Sequence, residues 1–183
     1  MKNYKLIISY NGTDFHGFQI QKDKTTVQGE FQKALEIFTE KYELNYSGRT
    51  DAGVHAKGQV INIKTELVID DKIINSLNKI LGSKISINSF KTIKESFHAR
   101  YDATERTYKY FVSDINQQYP YLNSQSYLYP KKLDIKKLKY ISKLFVGDHN
   151  FSAFSKYDVN KNPNRKIYKS NWIKKRDFFE YTI

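Results

Sequence analysis

Most of the reactive groups of this chain crowd into one stretch, Gly48-Arg49-Thr50-Asp51-Ala52-Gly53-Val54-His55-Ala56-Lys57-Gly58-Gln59. It holds three glycines, two cations, one acid and one histidine between two apolar segments. Glycines at this density let a backbone turn sharply and approach a ligand closely. Asp51 is the sole acid, and Arg49 supplies a positive charge two residues away. A carboxylate beside a cation on a glycine-rich loop can act as a nucleophile or as a base. The same residues could also form an exposed turn closed by an Arg49–Asp51 ion pair.

Other chemistries find less support. The four histidines, His16, His55, His98 and His149, stand at no metal-ligand spacing, and the chain has no cysteine. No metal site is expected, and disulfides and thiol nucleophiles are excluded. The formal charge of +12 over 183 residues calls for a polyanionic partner. The excess is concentrated in residues 126–183, which carry +9. No run of 18 apolar residues exists, and Met1-Lys2-Asn3-Tyr4-Lys5 enters a strand-like pattern without a signal-peptide core. The expected location is the cytoplasm.

The elements that must position Asp51 follow from periodicity. Tyr4, Leu6, Ile8 and Tyr10 alternate as a strand, ended by Asn11-Gly12. Thr25 with Gln28 reads as a capping box for a helix that buries Val27, Phe31, Ala34, Leu35 and Phe38. Leu44 to Ser47 enters the Asp51 loop as a strand, and Gln59 to Lys64 leaves it as another. Asp70 caps a helix with the stripe Ile73, Ile74, Leu77, Ile80 and Leu81, which Gly82 stops. Ile85, Ile87 and Phe90 predict a strand. This β-α-β-β-α-β order is ferredoxin-like, an antiparallel sheet with helices on one face.

The second half starts alike. Residues 104–113 alternate as a strand with Arg106, Tyr108 and Tyr110 on one face. Residues 114–130 are irregular and tyrosine-rich. Asp134 caps a helix with the stripe Ile135, Leu138, Ile141, Leu144 and Phe145, ended by Gly147. Residues 165–174 predict a strand that turns into an apolar strand, Phe178–Ile183. The fold class is thus α+β, with residues 1–100 as the half carrying the loop and 101–183 as an incomplete second half.

The loop, together with Tyr10-Asn11-Gly12-Thr13, His16-Gly17-Phe18-Gln19, Thr26-Val27-Gln28-Gly29, Phe97-His98-Ala99-Arg100, Arg106-Thr107-Tyr108-Lys109-Tyr110 and Gly147-Asp148-His149-Asn150-Phe151, resembles the TruA family of tRNA pseudouridine synthases. The resemblance runs from Tyr4 to about the end of the chain. It implies a pseudouridine synthase-like fold of two ferredoxin-like halves that form a mainly antiparallel sheet. It implies Asp51 as the catalytic residue and Tyr108 as the tyrosine that stacks on the target base and helps remove its C5 proton. The substrate would be uridine 38, 39 or 40 of the tRNA anticodon stem-loop, the enzyme a homodimer, and no cofactor would be needed.

Within that reading Arg49 fills the space of a flipped base, holds a phosphate or pairs with an acid. His55 orients backbone or phosphate. Lys57, Arg100, Arg106, Lys156 and Arg165 are candidate phosphate contacts. Related proteins continue with a segment like F-L-x-x-M-V-R, which has no match here. The expectation from that difference is a truncated chain with an uncovered apolar terminal strand, weak in activity or limited to binding tRNA.

Overall fold

The opening alternation becomes strand β1 (Lys2–Tyr10). Tyr4, Leu6, Ile8 and Tyr10 are all buried in one apolar core. A computed structural model describes residues 1–116, 119–122, 125–154 and 162–183. They fall into two compact units, Met1–Thr104 and Glu105–Ile183.

In the first unit, β1 is followed by α1 (Val27–Glu36), β2 (Tyr42–Tyr46), β3 (Ala56–Thr65), α2 (Asp71–Leu81) and β4 (Ile85–Ile93). The sheet order is β2-β3-β1-β4, antiparallel throughout, which is the ferredoxin-like arrangement. Leu6 stands opposite Ile61 on one side and Phe90 on the other. Both helices lay their apolar faces on the same core: Phe31, Ala34 and Leu35 from α1, Ile74, Leu77 and Leu81 from α2. Burying each large apolar side chain stabilises the unit by roughly 1.5–3 kcal/mol.

The helix ends differ in detail from expectation. Asp70 does cap α2, accepting from the Ile73 N–H at 2.9 Å, and Gly82 ends it with φ +64°. The cap of α1 is Thr26, one residue beyond Thr25, with its hydroxyl accepting from the Gly29 N–H. Gln28 instead turns its side-chain oxygen to the Ile20 N–H and its amide to Gln32. Ile80 of the expected α2 stripe is exposed, because it lies at the margin of the buried arc.

The second unit departs further. β5 (Lys109–Asp114) begins five residues later than expected, so Arg106 and Tyr108 precede it. It pairs in parallel with the short β6 (Tyr127–Tyr129) and antiparallel with β10 (Phe179–Thr182). Helix α3 (Ile135–Lys143) is capped by Asp134, as predicted, which accepts from the Lys136 and Lys137 N–H groups. The expected single strand over 165–174 is two strands. β8 (Asn164–Ile167) forms a ribbon with β7 (Gly147–Asn150), and β9 (Asn171–Lys174) joins the sheet β6-β5-β10-β9.

Burial in this unit also corrects the sequence reading. Of α3, Ser142 is buried, while Ile141 and Leu144 of the expected stripe are exposed. The terminal strand is covered only in part: Phe179 is buried, Phe178, Tyr181 and Ile183 are half-buried, and Tyr110 and Ile173 of the same sheet are exposed. Cross-strand rings cover it, with Trp172 stacked on Tyr181 at 4.8 Å and Phe178 edge-on to Phe111 at 5.2 Å.

Candidate active site

The Asp51 loop spans residues 47–55, between β2 and β3. Its far end meets the end of β1, where Tyr10 stands opposite Ala56 after a break in the ladder register. Such irregularities re-aim the chain at a sheet edge. The near end is tied down by Gln59. That side chain accepts from the Ser47 hydroxyl at 2.9 Å and donates to the Gly48 carbonyl.

The middle of the loop rests on the segment 10–18. The Tyr10 hydroxyl shares a hydrogen bond with Thr50 Oγ1 at 2.8 Å. Burial pushes the Tyr10 phenol up from its usual range, and the Thr50 bond partly offsets this. The Phe18 N–H donates to the Thr50 carbonyl at 3.0 Å, and the Gly53 N–H donates to the Phe15 carbonyl at 3.2 Å. The Gly12 N–H donates to His55 Nδ1 at 3.2 Å. Nδ1 therefore carries no proton in this geometry.

Two glycines permit this contact. A Cβ at Gly12 would lie 2.0 Å from the Val54 carbonyl oxygen. Gly17 has φ +94°, and a Cβ there would lie 2.9 Å from the Thr50 carbonyl oxygen. No periodicity over residues 12–24 marks this segment as the support of the loop. The Asn11-Gly12 and His16-Gly17 pairs are the available signal, but their partners, Val54 and Thr50, lie far along the chain.

Against this fixed backbone the side chains of Arg49, Asp51 and Lys57 are exposed. No ion pair joins Arg49 to Asp51 among the described residues, which removes the closed-turn alternative. The Asp51 carbonyl accepts from the Val54 N–H at 3.2 Å and closes the turn. Its carboxylate has no hydrogen-bond or ion-pair partner among the described residues. The result is an open carboxylate on an immobilised backbone, flanked by an open guanidinium, a geometry suited to nucleophilic or base chemistry.

The remaining candidates are placed as follows. His55 is exposed and occupied at Nδ1 by Gly12, so it holds backbone. Arg100 lies over the Tyr101 ring at 5.7 Å, in a turn held by a buried asparagine pair. There Asn62 donates to Asn3 and accepts from the Ala99 N–H, each at 2.9 Å, while Asn3 donates to the Phe97 carbonyl at 2.9 Å. These asparagines were missed because nothing in their spacing marks two polar residues as partners.

In the second unit Tyr108 is exposed, and its backbone exchanges two hydrogen bonds with Ile183, at 2.7 and 3.0 Å. Arg106 is exposed in the irregular segment before β5. Tyr110 is also exposed, with its ring 6.3 Å from Tyr181. Arg165 Nη1 donates to the Asn162 and Asn164 carbonyls. Lys156 lies outside the described residues. Among the described residues no three His, Asp or Glu side chains gather as a metal site, and no helix is long and apolar enough to cross a membrane.

Known proteins resemble this chain in sequence. A sequence model of the family described as tRNA pseudouridine synthase matches residues 6–102. The tRNA pseudouridine synthase A of Dictyoglomus thermophilum is 40% identical over 187 aligned residues, covering 100% of this chain and 76% of the relative. That of Borreliella afzelii is 39% identical with the same coverage. That of Pseudothermotoga lettingae is 38% identical over 92% of this chain and 70% of its own. With a family match across the loop-bearing unit and relatives aligned along the whole sequence, this chain belongs to the tRNA pseudouridine synthase A (TruA) family.

Proposed function

We propose that this chain isomerises uridine to pseudouridine in tRNA, at positions 38, 39 and 40 of the anticodon stem-loop, with Asp51 as the catalytic nucleophile or base. The observation that carries the reading is the open Asp51 carboxylate on a loop braced from both sides. The reaction breaks the N1–C1′ bond, forms C5–C1′, moves a proton off C5 and returns one to N1. Atoms and electrons balance within the substrate, so the work left to the protein is one carboxylate, an orientation and a pocket. Asp51 can attack C6, attack C1′ or remove the C2′ proton; each uses the same unpartnered oxygen.

The uridine must leave its stack first, at a cost of a few kcal/mol. Tyr108, exposed, is assigned the stacking face for the flipped base. Arg49 is assigned the vacated space or a flanking phosphate, and Arg106 a phosphate. His55 supports the loop. The chain's charge of +12 suits the tRNA backbone, and a homodimer sharing one tRNA goes with this reading, as does a cytoplasmic location.

The test is product analysis of tRNA incubated with the chain and with Asp51→Asn. Conversion of uridine to pseudouridine at 38–40 by the unaltered chain, and none by the variant with tRNA affinity within about tenfold (~1.4 kcal/mol), is expected. Turnover by the Asn variant refutes the carboxylate assignment. Binding without conversion by the unaltered chain would favour a tRNA-binding module, and release of free uracil a glycosylase.

A further inference from the structure

We propose that Tyr10 is a positioning residue for this reaction: through its buried hydroxyl it fixes Thr50, and through Thr50 it sets where the Asp51 carboxylate points. The inference rests on the assignment of Asp51 above. The Asp51 carboxylate has no partner of its own among the described residues. Whatever aims it must act through the backbone on either side.

Thr50, immediately before Asp51, is held at two atoms. Its Oγ1 meets the Tyr10 hydroxyl at 2.8 Å, and its carbonyl accepts from the Phe18 N–H at 3.0 Å. The anchors are themselves rigid. Tyr10 ends β1, paired on both sides, and its ring is buried in the core. Gly17 and Phe18 are fixed in turn, because their carbonyls accept from the Val27 and Gln28 N–H groups at the start of α1, at 3.2 and 2.8 Å. Thr50 is therefore clamped between a central strand and a helix N-terminus. A site carried on such elements holds its geometry better than one on a free loop.

The hydroxyl is the informative part of Tyr10. Phenylalanine would fill the same core volume, so packing alone does not call for tyrosine at this position. A buried hydroxyl needs a partner, and Thr50, the residue adjoining Asp51, is that partner. Thr50 supplies the other half of this bond, which a valine of matching shape would lack. A misplacement of about 1 Å at a reacting group can cost on the order of a hundredfold in rate, so a modest bond can have a visible effect on turnover.

The experiment compares Tyr10→Phe, Thr50→Val, Thr50→Ser and the Tyr10→Phe/Thr50→Val pair in the full chain. Three quantities are read: single-turnover pseudouridine formation on tRNA, tRNA affinity, and amide hydrogen exchange. We expect Tyr10→Phe to slow the chemical step about three- to tenfold, the scale of one hydrogen bond, with affinity within twofold. Exchange at the Phe18 and Gly53 amides should rise by a similar factor, while the Ile74 and Gly82 amides of α2 stay unchanged. Thr50→Ser should recover most of the loss caused by Thr50→Val, and the double variant should be no slower than Thr50→Val alone.

Multiplying effects in the double variant would overturn the proposal. So would unaltered exchange at Phe18 and Gly53, or faster exchange throughout the unit, which would make Tyr10 merely structural. The exchange data decide the Tyr10–Thr50 link without reference to turnover. Activity retained by Asp51→Asn would instead sink the catalytic assignment on which the proposal rests.

Discussion

Replacing Gly12 by alanine should disable the site while leaving the fold in place. An added Cβ would lie 2.0 Å from the Val54 carbonyl oxygen, 2.5 Å from its carbon and 3.0 Å from the carbonyl carbon of Gly53. All three are backbone atoms, so no side chain can rotate away. Either the end of β1 or the turn at 52–55 must retreat by about 1 Å or more, and overpacking of this kind costs roughly 1–3 kcal/mol. The turn is the softer side, because it lies on the surface while β1 is paired along both edges. Its retreat stretches the Gly12–His55 bond and displaces Asp51. We expect a melting midpoint lower by about 4 °C or more, as befits ~1 kcal/mol in a unit of this size, and pseudouridine formation reduced about a hundredfold. Calorimetry, tRNA binding and product analysis on one sample separate the effects. Turnover within threefold of the unaltered chain would refute the claim that the close approach of residues 12 and 54 aims the loop.

Tyr108→Phe should keep tRNA affinity but slow the chemistry, whereas Tyr108→Ala should also weaken binding by ~1–3 kcal/mol through lost stacking; wild-type behaviour of both in binding and single-turnover assays would make Tyr108 ordinary surface. Reversing the charge of Lys131, Lys132, Lys136 and Lys137, all exposed beside or on α3, should flatten the slope of log K against log salt, and an unchanged slope would put the phosphate contacts elsewhere. Glu180 is held below the usual carboxylate range, mainly by its hydrogen bond from Lys109 at 2.7 Å. Its folded pKa is depressed, so its contribution to stability is present above the unfolded value and lost as pH falls through the lower folded one. Glu180→Gln should therefore flatten the acid limb of stability between those two values, and an unaltered limb in denaturant titrations would show that the pair is screened out.

The first unit could be read from the sequence because its information is local and periodic. Tyr4, Leu6, Ile8 and Tyr10 alternate as a strand must when one face is buried, and Asp70 and Gly82 bracket a helix by chemistry that acts within one turn. The loop itself was legible by composition, since Asp51 is its only acid. The second unit resisted the same reasoning. The apolar residues of α3 have helical spacing, yet Ile141 and Leu144 are exposed and Ser142 is buried. Periodicity reports which residues could face a core, while burial depends on what other elements lie against them. The strand expected over 165–174 likewise divides between two sheets, because its first part pairs back with β7 and its second part pairs forward with β10. The brace of the Asp51 loop belongs to the same class. Gly12, Gly17 and Tyr10 act on Thr50, Val54 and His55 across some forty residues, through steric room and single hydrogen bonds that exist only once β1 and β3 have paired. The candidate carboxylate was therefore legible in one short stretch of residues; what holds its backbone in place was decided by the pairing of strands far apart in the chain.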